Sequence, residues 1–449
     1  MAAGKQRAGA ARWLPLGLAT VLALSACAER EVTLIGEREE LRSVLSEQVP
    51  GDIPEAPVNQ EAPIALPAQV SNANWTQGSG TPSTRVAHAA LGAAPQLIWQ
   101  AKIGEGDGRK VFITSDPVVA EGRIFTLDAT GHVAATAPSG AALWMTDLVP
   151  PQDRVGQASG GGIAYGAGRV FVTTGFGELS ALDPETGAVL WQQKLLAPAT
   201  GAPTVYDGLV YVTSGESQAW ALDVETGRVK WQLSATPDVN NFSGAPSPAL
   251  TDQFALFGFG SGEVQAAFRQ GGMSVWSTVI TGRRPGFARA NVNDITGDPV
   301  VVGDTVYTGN QSGRFVALDL ASGTRQWTAD EGPMGPAWVT GGAVFLVSDR
   351  NQLVRLDAET GARVWGVDLP YFQKARPRRQ SAVYAHFGPV LAGGRLVVAS
   401  SDGYLRFFDP VSGALTGTAE LPAGAASAPV VAGGVLYVLN KKGQLLAYR

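Results

Sequence analysis

From residue 97 to the C-terminus the chain is written in short apolar runs separated by clusters of Gly, Asp, Asn and Ser, and the whole pattern recurs. One run follows a Pro or a small residue, as at Val118-Val119, Thr204-Val205, Ala249-Leu250 and Val430-Val431. A turn such as Asp207-Gly208 or Gly393-Gly394 leads to a second run, at residues 124–127, 209–212 and 344–347 among others. A third begins at Gly131, Gly177, Ser217, Gly262, Gly313, Asn351, Gly403 and Gly443, at intervals of 38 to 52 residues. A fourth carries Trp. Runs this short, bounded by turn formers, predict β-strands.

The third run, its turn and the fourth run form the most regular unit. Residues 181–191 read Ala-Leu-Asp-Pro-Glu-Thr-Gly-Ala-Val-Leu-Trp. The unit returns at 221–231, 317–327 and 355–365, and more weakly at 134–144, 266–276 and 407–417, where the Trp is lost. Asp can bond back to the turn backbone, and Gly accepts positive φ without a Cβ clash. Near-copies in such number mark a structural repeat, not a set of active sites. Four strands per repeat of this length predict a β-propeller blade. The first three runs occur eight times and the Trp-bearing one seven times, while one such strand, 97–101 with Trp99, is left over at the start. The expected fold is therefore all-β: an eight-bladed propeller of four-stranded blades, closed by that N-terminal strand beside the last repeat, which leaves no free interior edge. Trp99, Trp144, Trp191, Trp231, Trp276, Trp327 and Trp365 are expected to dock blade on blade and not to stack on a cofactor.

Composition narrows the chemistry. Gly occurs 56 times in 449 residues and only 16% of side chains are charged, which suits a turn-dense β protein. Mean hydropathy of +0.05 is too low for a multi-span membrane protein. Cys27 is the only Cys, so neither a disulfide nor a thiol-based metal or redox site is expected. His88, His132 and His386 are scattered without ligand spacing. The formal charge is −5, and the three cations of the acid-free first 26 residues leave the remainder at −8, which disfavours nucleic-acid binding.

The N-terminus has a different character. A basic start and an apolar run over 13–26 read as a signal peptide, 1–26, ending Leu-Ser-Ala before Cys27. That sequence resembles a bacterial lipobox, implying acylation of Cys27, membrane attachment through the N-terminal lipid and, with Ala28 next, outer-membrane sorting. Residues 27–70 read as a lipidated tether: 29–48 is charged and compatible with a short helix, and 50–68 is rich in Pro and Ala. The propeller is expected over 71–449, with Trp75 on its surface.

The Ala-Leu-Asp-x-x-Thr-Gly-x-x-x-Trp unit resembles the docking motif of quinoprotein-type propellers. Two branches share it: PQQ-dependent dehydrogenases and BamB-type lipoproteins of the outer-membrane β-barrel assembly machinery. The dehydrogenase resemblance would imply long insertions, Ca²⁺ ligands, a catalytic Asp and often a vicinal disulfide. The single Cys excludes the disulfide, the blades are near minimal length, and no nucleophile–His–acid set or phosphate loop is evident. The BamB resemblance implies a periplasm-facing outer-membrane scaffold with no cofactor, no metal and no catalytic residue. Its partners would be a BamA-like subunit and unfolded outer-membrane clients.

In that family the loops flanking the fourth blade bind a periplasmic domain of BamA. Residues 241–276 and 282–301 resemble those segments; Arg289 and Asp294 match the family's Arg and first acid, and Phe242, Arg283 and Arg284, in the same two loops, are expected to share the partner-binding rim. Thr296 stands where the family has a second acid, and Asn240-Asn241-Phe242 departs from the family's Leu and Arg. The long connections at 149–159, 234–245, 281–297 and 369–387 are all between blades, so one face is elaborated; two of them carry basic clusters, Arg283-Arg284-Arg289 and Lys374-Arg376-Arg378-Arg379. A PQQ-dependent dehydrogenase and a generic periplasmic interaction propeller remain the alternatives.

Overall fold

Eight antiparallel sheets of four strands each account for the chain from Leu97 onward. The structure is a computed structural model and describes residues 58–199, 201–215, 217–237, 246–282 and 292–449. The expected signal peptide, Cys27 and most of the expected tether lie outside the described residues. Blades 1 to 7 span 118–147, 161–194, 204–234, 249–279, 295–329, 338–368 and 386–420, each a four-strand meander in chain order. Blade 8 takes three strands from 430–448 and its outer strand from Leu97–Lys102, so the expected eight-bladed ring closed by an N-terminal strand is the fold observed.

The hydrophobic pattern follows from position in the blade. A second strand such as Arg169–Thr174 is buried at nearly every residue, because neighbouring blades cover both its faces. An outer strand such as Val189–Lys194 alternates between exposed and partly covered residues, because one face and one edge meet water.

Each outer-strand Trp reaches the third-to-fourth-strand turn of the next blade. The Trp191 indole N–H donates to the Val224 carbonyl at 3.0 Å, Trp276 to Leu320 at 2.9 Å, and Trp365 to Val411 at 3.1 Å. Trp99, Trp144, Trp231 and Trp327 do the same to Pro138, Pro184, Arg269 and Ala358. The ring then lies flat on the Gly that ends the turn. At Gly227, φ is +68° and a Cβ would stand 2.5 Å from the Trp191 indole, so the position needs Gly twice over, for backbone and for space.

Blade 7 is the exception, and its seam explains why. Gly417 sits opposite Phe407 as Trp231 sits opposite Ala221. The next blade has no turn for an indole to meet, because that is where the chain's two segments join. Gln96 and Arg449 exchange backbone bonds of 2.8 and 3.0 Å there. Arg395 replaces the missing Trp, lying 4.6 Å over the Phe407 ring and donating to the carbonyls of Gly92 and Ala93.

The segment before the first strand is structured. Asn59 exchanges side-chain bonds with the Gly366 backbone, and the Gln60 N–H bonds the Val364 carbonyl at 3.0 Å, both on the outer edge of blade 6. The segment crosses to blade 7 through an Ala62–Val411 bond and then enters the central channel. There it visits the innermost strands in ring order. Asn72 bonds blade 8 at Val431 and Gly433, Trp75 bonds Val119, Thr76 bonds Tyr165, and Gln77 bonds Val205 through its side-chain amide. Pro82 then meets Leu250, Ser83 meets Val301, Arg85 lies 5.0 Å over Trp338, and Ala89 meets Leu391 and Gly393. Trp75, expected on the surface, is instead 1% exposed at the centre of the molecule. The innermost-strand backbones of seven blades receive hydrogen-bond partners from this strap, and blade 6 meets it through the Arg85–Trp338 ring contact.

Candidate functional site

The strap's contacts fall just before the first turn of each blade, so it stops the channel on that face. The opposite face carries the connections between blades. Long connections occupy 148–160, 235–248, 280–294 and 369–385, and a fifth, 103–117, precedes blade 1. The central cavity on this side has a volume of about 360 Å³ and is lined by Thr114, Asp116, Ser247, Thr296, Asp298 and Phe387 among others, over Gly78 of the strap.

Asp116 and Asp298 come from blades 1 and 5, on opposite sides of the ring. The Ala428 N–H donates to Asp116 at 2.7 Å, and Ser247 donates to Asp298 through its backbone and its hydroxyl. Both carboxylates keep partial exposure to the cavity but lie far from bulk water. Burial pushes each up to about 6, against the Arg85 guanidinium that holds them down. Burial in turn lowers Arg85 to about 10. Arg85 stacks between Trp75 and Trp338, at 5.7 and 5.0 Å. Two carboxylates and one guanidinium leave this cavity with an excess of negative charge. Pyrroloquinoline quinone carries three carboxylates, and these residues do not complement such a polyanion.

Of the residues singled out for partner binding, Phe242, Arg283, Arg284 and Arg289 lie outside the described residues. Asp294 is described and stands just before the strand Ile295–Val302, where it is 2% exposed and held by interactions within the chain. Thr296 donates to the Pro333 carbonyl at 2.7 Å. The turn aspartates Asp183, Asp223, Asp319 and Asp357 each accept bonds from the Thr or Ser three residues on, and these bonds lower their carboxyls below the usual range. Among the described residues, no group of three His, Cys, Asp or Glu could hold a metal ion, and no helix is long and apolar enough to cross a membrane.

Sequence reasoning missed the strap and Arg355. In the repeat unit Arg355 stands where residues 181, 221 and 317 are Ala. Its guanidinium donates to the carbonyls of Ala62 at 2.6 Å and Pro63 at 3.1 Å, and to Pro410 at 3.1 Å in blade 7. The signal was present as a break in an otherwise regular motif.

Fold and cavity together define a quinoprotein-type eight-bladed propeller whose channel is stopped by its own N-terminal strap. The profile of the family described as outer membrane protein assembly factor BamB matches residues 129–367 and 373–449. The BamB of Salmonella typhimurium is 31% identical over 358 residues, covering 79% of this chain and 88% of that protein. The BamB of Escherichia coli is 29% identical, covering 78% and 87%. The chain belongs to the outer membrane protein assembly factor BamB family. Among solved structures, BamB from Moraxella catarrhalis superposes with a TM-score of 0.65 at 18% identity, covering 79% of this chain and all of that one. Quinohemoprotein alcohol dehydrogenase from Comamonas testosteroni gives 0.64 at 16%, covering 84% and 80%. At such identities both comparisons speak to fold alone, so the choice between branches rests on the sequence relatives and on the site.

Proposed function

We propose that this chain is a non-catalytic scaffold of outer-membrane protein assembly, lipid-anchored at Cys27 in the outer membrane and facing the periplasm. It binds a BamA-type periplasmic domain through the connections before and after blade 4. The observation that carries the reading is the asymmetry of the ring. Its long connections all leave and rejoin the sheets on one face, around a cavity whose other end the strap has filled. A rigid scaffold that presents loops on one side and has no through-channel suits docking better than substrate passage. In this reading Arg289, Arg283, Arg284 and Phe242 meet the partner, Arg and aromatic side chains being the usual interface anchors. Asp294 acts from beneath, by fixing where the second loop rejoins blade 5. Unfolded outer-membrane proteins are the clients of the assembly, not substrates of this chain.

The test is capture from membranes. The full chain with a C-terminal affinity tag, cross-linked in cells and purified, should bring down a BamA-type subunit. Recovery without that subunit, together with turnover of an alcohol or sugar on adding pyrroloquinoline quinone and Ca²⁺, would replace this reading by the dehydrogenase one.

A further inference from the structure

The connection between blades 6 and 7 forms a hairpin over 369–385. Phe372 and Val383 pair across it, the Gln373 N–H bonds the Ala382 carbonyl at 3.0 Å, and the Tyr384 N–H bonds the Tyr371 carbonyl at 2.8 Å. A single 3₁₀ turn, Pro377–Arg379, forms the tip and buries none of its residues. The base is clamped to the ring. The Asn351 amide donates to the carbonyls of Pro370 at 3.3 Å and Tyr384 at 2.9 Å, and the His386 ring bonds Pro370 and the Ser400 hydroxyl.

Lys374, Arg376, Arg378 and Arg379 are all exposed on this hairpin. None forms an ion pair among the described residues, whereas Arg314, Arg363 and Arg406 each hold a carboxylate. No Asp or Glu occurs between 369 and 386. The flanking acids are already occupied, Asp368 by the Gln352 amide and Asp402 by Arg406. Four cations therefore stand unneutralised on a chain of net charge −5. Beside them Phe372 and Val383 are 40% and 41% exposed, and Tyr371 packs against Phe372 with ring centres 4.6 Å apart.

The strap supplies an independent direction. Gln60 pairs with Val364 and Asn59 with Gly366, so the chain, followed backwards, climbs the strand Arg363–Asp368 toward its C-terminal end. The hairpin starts immediately after that end. The first described residues thus run up blade 6 toward the basic tip.

We propose that the hairpin 369–385 docks on the anionic phospholipid headgroups of the membrane that holds the tether. Arg376, Arg378 and Arg379 take phosphate oxygens, and Phe372 and Val383 enter the interface. The inference rests on the lipid-anchored reading above. Guanidinium forks match phosphate geometry, and a basic patch beside exposed aromatic residues is the usual signature of a membrane-surface segment. An acidic protein would satisfy the cations, but it would not account for the exposed apolar base or for the direction in which Gln60 and Asn59 run along blade 6.

The test uses the whole mature chain with Cys27→Ser, so that no acyl chain contributes, sedimented at low salt with vesicles of phosphatidylcholine alone or mixed with phosphatidylglycerol. The parent should bind only the mixed vesicles and be released by high salt. Replacing Lys374, Arg376, Arg378 and Arg379 together by Gln should lower partition by roughly fivefold per cation, on the order of a hundredfold or more in all. Phe372→Ser should lower it several-fold without moving the melting temperature. A lost lipid anchor would show instead in palmitate labelling of Cys27, which this experiment does not use. Absence of binding by the parent, equal binding by the fourfold variant, or binding that survives high salt would each overturn the proposal.

Discussion

The Arg355 guanidinium holds the Ala62 carbonyl at 2.6 Å across 293 residues of sequence. It thereby ties the N-terminal strap to a repeat unit that keeps its Trp but has Arg in place of the Ala at 181, 221 and 317. Substituting a repeat's consensus residue commonly stabilises a protein. Here Arg355→Ala should do the reverse. It frees four carbonyl contacts in two chain segments, and hydrogen bonds to a charged group are worth about 1.5–3 kcal/mol each at most. The expected result is a lower melting temperature and faster proteolysis within residues 58–66. An unchanged digestion pattern would mean that the clamp does not hold the strap.

The Trp–Gly docking allows strain and packing to be separated. Gly208 and Gly227 both have positive φ, +77° and +68°, but only a Cβ at Gly227 would meet an indole. Gly208→Ala should cost about 1–2 kcal/mol from backbone strain alone. Gly227→Ala should cost roughly 1–3 kcal/mol more, because Trp191 must move. Chemical denaturation of the two variants measures the difference, and equal losses would show that the indole contact contributes nothing.

Ring closure can be trapped chemically. Lys102 and Gln444 are Cα partners across the seam. With Cys27→Ser, Lys102→Cys and Gln444→Cys, mild oxidation should form one intramolecular disulfide, which stabilises typically by 2–4 kcal/mol. A chain that stays reduced, or links only between molecules, would mean that the seam is open in solution.

The channel carboxylates make a pH prediction of definite sign. Asp116 and Asp298 sit at about 6, above the unfolded value of 3.8, so the folded chain binds more protons between those values. Stability from these groups therefore rises as pH falls from 7 toward 4. The turn aspartates have lowered values, and their contribution is lost only below the ordinary Asp range. His386, also lowered by burial, acts against the rise as pH drops through 6.5. The comparison must therefore be with Asp298→Asn, which keeps His386. Relative to that variant, the parent should gain about 1 kcal/mol between pH 7 and pH 5. A gap between the two that does not vary with pH would place Asp298 in ordinary solvent.

The fold was legible because a propeller writes itself repeatedly. Each blade restates Asp, Gly and the apolar spacing, so the missing eighth Trp-bearing strand and the spare one around Trp99 could be matched by counting. The strap was not legible, because it has no period. Its residues are ordered by contacts with eight separate blades, each far away in sequence, and nothing local in Asn72, Gln77 or Arg85 announces a channel. Trp75 was misplaced for the same reason: an isolated Trp carries no direction until its surroundings are known. The fifth long connection, 103–117, was overlooked because it lies between the spare strand and blade 1, outside the run of repeats. The burial of Asp294, 2% exposed, was likewise not legible, since matching a residue type to a motif carries no information about what will cover it.

The central claim is that the connections flanking blade 4 bind a BamA-type periplasmic domain, and calorimetric titration of that domain into the soluble full chain tests it most directly. Arg289→Ala should weaken binding by about 2 kcal/mol, roughly thirtyfold, with an unchanged melting temperature. Phe242→Ala should act in the same direction. Asp183→Ala, in a turn on the opposite face, should lower stability without changing affinity. No measurable binding by the parent chain, or the parent's full affinity in both loop variants, would contradict the account.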